Sequence, residues 1–328
     1  MKTIITFIFA LLLSGSWQTA KGQSINEIDS TSTLISQLVK KSIQIPIGDS
    51  LVLNEFEKEW EDIGIYSDGR IDERSESEKW LTELSNHFYE QSLLNENSII
   101  TIDEKYFEKL LNITPSIQWM LFESKMLNKQ FKALIISVSE FQNYKLYSIV
   151  TERIEFDYIG DFGLHAQIQS LITIADHKIV DNLVVAYSIG NGFSTSDQFF
   201  FYDNDIIHIK DFGSDEGWTG FGNYQKYRIN PQGKFIQYYE QDGFIKNGNE
   251  QGLVKSRTRE GKWIEMSNIY YIEKEYKEGV SINDWKYYKM VQNFTEEGKP
   301  IFSTRRKGEL LYRETYENGA LIKRESVK

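Results

Sequence analysis

The chain has 328 residues, a formal net charge of −11, 40% hydrophobic and 14% aromatic side chains, and no cysteine. Its acidity disfavours binding to phosphate backbones, and the missing thiols exclude disulfides, a cysteine nucleophile and a lipid-acceptor cysteine. The apolar content is ample for a packed core, which excludes wholesale disorder, and the length suits two domains.

Residues 1–22 have the three-part layout of a cleavable secretory signal. Lys2 supplies the positive start, Thr3 to Leu13 an apolar run, and Ser14-Gly15-Ser16 a break. Ala20-Lys21-Gly22 then sets small residues ahead of a cut at about Gly22/Gln23. The apolar run is shorter than the about 20 residues that a spanning helix needs, and no later stretch approaches that length. The expectation is an exported chain, periplasmic or secreted and not membrane-spanning. The lack of cysteine points to a bacterial envelope.

Residues 23–129 read as helical. Ser75 and Glu78 form a capping-box pair ahead of Trp80, Leu81, Leu84, Phe88 and Gln91 at helical spacing. Thr101 and Glu104 repeat the pair before Tyr106, Phe107, Leu110 and Leu111. Thr114-Pro115 offers a cap with proline at the first helical position, followed by Ile117, Leu121 and Phe122. Leu34, Ile35, Leu38 and Val39 suggest an earlier helix, and Phe56, Trp60 and Ile63 a short one.

From about residue 130 to 240 the period falls to two. The stretches 133–138, 146–150, 168–175, 183–189 and 198–202 alternate or run in β-branched and aromatic residues. Asp176-His177-Lys178, Gly190-Asn191-Gly192 and Asp203-Asn204-Asp205 separate them with turn chemistry. Such short turns demand antiparallel pairing, because a parallel return needs a longer crossover.

Residues 241–328 form a ladder of aromatic strands and glycine turns that begins just upstream, at Asn230-Pro-Gln-Gly233. Glu260-Gly261 leads into Lys262-Trp263, and Tyr276-Lys-Glu-Gly279 precedes Trp285-Lys-Tyr-Tyr288. Glu296-Glu-Gly298 and Tyr316-Glu-Asn-Gly319 continue the series, with 18, 19 and 21 residues between glycines 261, 279, 298 and 319. Those Tyr-x-x-Gly steps, with Gly-Lys-Trp and Trp-Lys-Tyr-Tyr, resemble MORN-type repeats in the degenerate variant of exported bacterial proteins. Thr258 and Thr295 stand where the pattern has tyrosine. The resemblance implies an elongated hairpin array serving as an interaction surface or scaffold, with no catalytic residues. The middle of the chain is similar to uncharacterised exported bacterial proteins. The expected fold class is therefore α+β: a helical N-terminal region, an antiparallel β domain and a C-terminal MORN-like β-hairpin array.

Motifs for chemistry are sparse. His87, His165, His177 and His208 include no pair spaced for one helix face. His87 falls in the helical pattern, His177 in a turn, and the other two beside strands. No Gly-x-Ser-x-Gly elbow and no phosphate-cradling P-loop is present. The stretch 203–227 is the most site-like, with Asp203, Asp205, Asp211, Asp215 and Glu216 among glycines and followed by aromatics. Asp211, Asp215 and Glu216 are candidate calcium ligands, although no EF-hand spacing exists, and no other cofactor is expected. The leading functional expectation is a non-catalytic binding or scaffold module. It would act through aromatics at Trp218, Tyr224, Trp263, Trp285 and Tyr288 on a protein partner or an envelope glycan, with no nucleic acid. One alternative is a glycan hydrolase using carboxylates of the 203–216 loop; another is an immunity or antitoxin-like protein partner.

Overall fold

A computed structural model describes residues 41–42, 44–55, 59–60, 79–80, 83–84, 99–103, 130–151, 154–156, 164–190, 195–203, 205–215, 218–247, 249–267, 269–295 and 300–327. The segment 1–22 read as a secretory signal, the helices expected at 34–39 and 114–122, and most of the one at 75–91 lie outside them.

Two sheets account for the described residues. The first has 13 strands: β1 (Lys41–Ser42), β2 (Ile47–Gly48), β3 (Glu59–Trp60), β4 (Ile99–Asp103), β5 (Gln130–Glu140), β6 (Lys145–Thr151), β7 (Ile154–Phe156), β8 (Leu164–Ala175), β9 (Lys178–Gly190), β10 (Thr195–Asp203), β11 (Ile206–Asp215), β12 (Trp218–Ile229) and β13 (Phe235–Gln237). The second has eight strands: β14 (Gly243–Lys246), β15 (Glu250–Lys255), β16 (Thr258–Met266), β17 (Tyr270–Lys277), β18 (Val280–Ser281), β19 (Asn283–Phe294), β20 (Pro300–Glu317) and β21 (Ala320–Ser326). The described pairs are antiparallel apart from β1 with β5.

The α+β expectation is corrected: the described chain is mostly antiparallel sheet, with no helix of seven residues or more. Helical backbone occurs at 79–80 and 83–84, and a 3-10 turn at Ser50–Leu53, where Asp49 Oδ1 accepts from Leu51 N at 2.9 Å. Thr101, read as a helix cap, lies in β4 opposite Lys132 of β5. The reason is the run Ile99-Ile100-Thr101-Ile102, whose β-branched side chains lose rotamer freedom in a helix and pack well on a pleated surface. Trp60, assigned to a short helix, pairs with Thr219 in β3.

The strands expected between 133 and 202 all form, in β5, β6, β8, β9 and β10. The tight turn between β8 and β9 carries Asp176 and His177 at φ 47° and 60°. The 190–192 turn lies partly outside the described residues. Central strands are covered on both faces: residues 146–151 of β6 are all buried. Ile47, Val52, Leu84, Val138, Leu146, Leu171, Phe199, Tyr202, Ile207 and Phe212 belong to one core cluster.

The first sheet curls back on itself at the Asn230–Lys234 turn. Gly233 O accepts from Thr173 Oγ1 at 2.6 Å, Lys234 Nζ donates to Val180 O at 2.6 Å, and Phe235 N donates to Asp181 Oδ2 at 2.9 Å. The chain then crosses into the second sheet along the ends of its hairpins. Tyr239 N donates to Arg257 O at 2.9 Å, and Ile236 packs at Gly279.

The glycine turns divide into two kinds. Glu278–Gly279 (φ 51°, 79°) and Asn318–Gly319 (φ 48°, 78°) are hairpin turns with both central residues left-handed. Gly261 is not a turn residue: Ser256–Arg257 makes that turn, and Gly261 sits inside β16. There the pairing steps from Gly252↔Trp263 to Leu253↔Glu260, leaving Gly261 and Lys262 as a bulge.

The two kinds respond differently to a methyl group. At Gly279 (φ +79°) an added Cβ would stand 2.1 Å from Ile236 Cγ2, whereas at Gly261 (φ +66°) nothing lies within 4 Å. Gly261→Ala should cost about 1 kcal/mol of backbone strain, and Gly279→Ala about 2–4 kcal/mol as overpacking is added. Urea unfolding followed by tryptophan fluorescence would check the order; equal losses would refute the close packing at Gly279.

Candidate functional site: a histidine–tyrosine–lysine square on β11 and β12

The stretch 203–227, read from sequence as an acidic loop, is mainly the paired strands β11 and β12. Register sets Lys210 opposite Tyr224 and His208 opposite Lys226. Residues two apart share a face, so these four side chains form a square on one side of the hairpin. His208 Nδ1 and Tyr224 Oη are 2.6 Å apart along its diagonal, with near-parallel rings at 6.0 Å and 19°. Lys210 Nζ lies 4.9 Å and Lys226 Nζ 5.0 Å from the Tyr224 ring centroid. Lys226 also pairs with Glu240, and Lys210 Nζ donates to Asn54 O.

Burial sets the protonation of the square. It pushes Lys210 down to about 8 against the pull of Glu55, with Lys226 adding to the depression. It lowers His208, helped by the Lys226 charge, and raises Tyr224. At neutral pH the square therefore holds a neutral imidazole, a protonated phenol and two ammonium groups, of which Lys210 is buried at 5% exposure beneath Asn54 O and Lys226 is the more accessible. Tyr224 is 41% exposed, so its ring is available to a partner. The Tyr224 ring and Lys226 can hold an anion beside a planar or apolar moiety, with the Lys210 charge acting from beneath.

Asp211 lies on the opposite face, because side chains alternate along β11. Its Oδ2 accepts from Asn223 Nδ2 at 3.4 Å, while the buried Oδ1 has no hydrogen-bond partner. Burial raises its pKa to about 6 against the Asn223 bond. Asp215, four residues further along the same strand, stands about 13 Å away. That exceeds both the convergence a calcium ion demands and the roughly 6.5–9.5 Å of a glycosidase carboxylate pair. Asp215 closes the β11–β12 ladder opposite Trp218, where only the backbone of the two residues is described. Glu216 lies outside the described residues. Among the described residues no group of three or more His, Cys, Asp or Glu could hold a metal.

Three of the other sequence-predicted contact residues are in the core. Trp263 is 1% exposed, Trp285 8% and Tyr288 8%. Trp263 Nε1 donates to Leu253 O at 3.1 Å, and Trp285 Nε1 to Glu275 O at 3.4 Å, the same bond repeated 22 residues on. Rings run in contact from Tyr239 to Trp263, Tyr276, Trp285 and Tyr316, with centroid separations of 5.8, 6.4, 5.4 and 4.3 Å. Tyr288 donates to Glu273 Oε2 at 3.0 Å and lies beneath Lys307 Nζ at 3.9 Å. Of the five aromatics, Tyr224 alone has a described, exposed side chain. His208, Lys210 and Lys226 were missed because their only sequence signal, His-x-Lys and Tyr-x-Lys at period two, means nothing until the register is known.

No family model, curated protein or solved structure significantly matches the chain.

Two measurements follow from these placements. Trp263→Ala should lose about 3–5 kcal/mol of stability, as expected for a buried aromatic; an unchanged urea midpoint would return Trp263 to the surface. For Asp211 the folded pKa is raised, so the folded state binds more protons than the unfolded between about pH 4 and 6, and stability falls across that window. Asp211→Asn should remove that slope and raise stability at pH 7.5 by about 1–3 kcal/mol. A pH series of unfolding curves for both proteins checks it, and parallel curves would show that Asp211 is not a burdened charge.

Proposed function

We propose that the chain is an exported, non-catalytic binding module whose contact face is the square on β11 and β12, and that its partner is an anionic envelope glycan. Tyr224 carries the reading: an exposed ring, hydrogen-bonded to an imidazole, with two ammonium groups within 5.0 Å of its centroid. A tyrosine face stacks on a sugar ring at low entropic cost while lysines meet its acidic substituents. The secretory layout of residues 1–22 supports export. The 22-residue recurrence of the tryptophan bonds supports a MORN-like hairpin array, as the scaffold that carries the first sheet. A hydrolase reading would rest on Asp211 as an acid with a pKa of about 6, but its second carboxylate would have to come from outside β11.

Calorimetric titration with an acidic envelope polysaccharide, and with its neutral counterpart as control, tests the proposal. Tyr224→Ala should weaken binding about tenfold or more and Lys226→Ala about threefold to tenfold, the lysine effect fading as salt screens it. Lys210 loses its charge as pH rises through about 8, so affinity should fall between pH 7 and 9 and stop depending on pH in Lys210→Met. Equal binding of the neutral polysaccharide, or indifference to Tyr224→Ala, would refute the site. Capture of an acidic protein through the same residues would move the assignment to a protein partner.

A further inference from the structure

The second sheet ends in an open strand. All seven residues of β21 are exposed, and among the described residues β20 is its one neighbour in the sheet. Leu321, Ile322 and Val327 are 47%, 60% and 47% exposed beside it. Val327 N donates to Leu311 O at 3.0 Å, which fixes the strand's orientation. With Ser326 opposite Tyr312, Glu325 opposite Arg313 and Arg324 opposite Glu314, residues 323, 325 and 327 turn their backbone groups toward β20, up to a bulge at Ile322 where the register slips by one residue. Arg324 and Ser326 therefore direct N–H and C=O outward, as a template for another strand.

We propose that β21 pairs antiparallel with β21 of a second copy of this chain, about a two-fold axis at Arg324. Complementarity along the outer edge of β21 selects this occupant and register. Arg324 lies opposite itself in this arrangement, and its outward N–H and C=O make a reciprocal pair of hydrogen bonds. Each Lys323 then stands across from Glu325 of the second copy, on the regular side of the Ile322 bulge. Moving the axis by one residue instead opposes Lys323 to Lys323 or Glu325 to Glu325, a like-charge contact that disfavours it. Within one chain Lys323 and Glu325 already share a face, with Nζ and Oε1 2.7 Å apart, so the dimer alternates four charges.

The two Arg324 guanidinium groups do not oppose one another freely. Each is held by its own Glu314, a 2% exposed carboxylate that also accepts from Tyr287 and Tyr316 at 2.7 and 2.9 Å. Pairing β21 with itself closes after two copies. Pairing it with the opposite edge, β14, would propagate without end.

Sedimentation velocity of the full chain across about 1–100 µM should show the mass rising from one chain toward two. Glu325→Lys and Lys323→Glu should each weaken association about tenfold or more, because each creates like-charge pairs. The double variant should restore it to within about threefold of the parent. The natural chain has no cysteine, so Arg324→Cys should oxidise to a covalent dimer, the Cα separation of about 5.5 Å lying within disulfide range. Lys323→Cys, offset from its counterpart by roughly 8 Å, should not. The charge-swap series decides the matter if loss of the Glu314 contact unfolds the Arg324→Cys protein. A single-chain mass at every concentration, or a dimer indifferent to both single charge reversals, overturns the proposal.

Discussion

Arg259 is the pin on which the second sheet is assembled. It is 9% exposed and donates to Tyr239 Oη at 2.8 Å, Tyr276 Oη at 2.9 Å, Glu250 Oε2 at 2.6 Å and Glu265 Oε1 at 2.5 Å. Its guanidinium also lies 4.6 Å from the Trp263 ring centroid. One side chain thus joins β15, β16, β17 and the segment leading out of β13. Burial alone would push Glu265 up, but the charges of Lys274 and Arg259 outweigh it and hold the carboxyl at about 2. Such a cluster adds little net stability over an apolar core, yet removing one member strands a buried charge at a cost of about 3–5 kcal/mol. It therefore acts chiefly by specifying one register for the aromatic ladder stacked around it.

The same residue types do opposite work on the two sheets. In the second, Tyr276 and Lys274 are closed in by neighbouring strands, so their polar ends satisfy each other and their rings and stems fill the core. In the first, Tyr224 and Lys226 lie where the cover over β11 and β12 ends, beside the buried Lys210, and a comparable set of contacts leaves the Tyr224 ring exposed. Position on the pleat separates a structural tyrosine from an available one. Open strand edges extend this logic, since β21 displays backbone groups that its own sheet does not use.

Much of the strand pattern was legible. The alternation in 133–138, 168–175 and 183–189 became β5, β8 and β9, because period two suits a chain buried on pleated faces. The Glu278–Gly279 and Asn318–Gly319 turns were visible because positive φ favours few residues. Thr101 misled, because a capping-box spacing of three residues is a local signal, and pairing of Ile99–Asp103 with β5 is a stronger, non-local one. Gly261 misled similarly: glycine marks permissive backbone, and a bulge uses that permission as readily as a turn. Trp263 and Trp285 looked like surface aromatics only because sequence does not show what covers a strand.

The sequence by itself determined an acidic, cysteine-free chain, the strands between residues 133 and 202, and the hairpin turns at Gly279 and Gly319. Each of these follows from composition or from steric preferences of adjacent residues. Tertiary structure alone decided that His208, Lys210, Tyr224 and Lys226 share one square, that Asp211 turns away from it, and that Trp263 lies beneath Arg259. Those facts depend on strand register and on which face a neighbouring element covers. A shift of one residue exchanges every inward side chain for an outward one. Register is set by pairing between segments distant along the chain, so no local pattern encodes it.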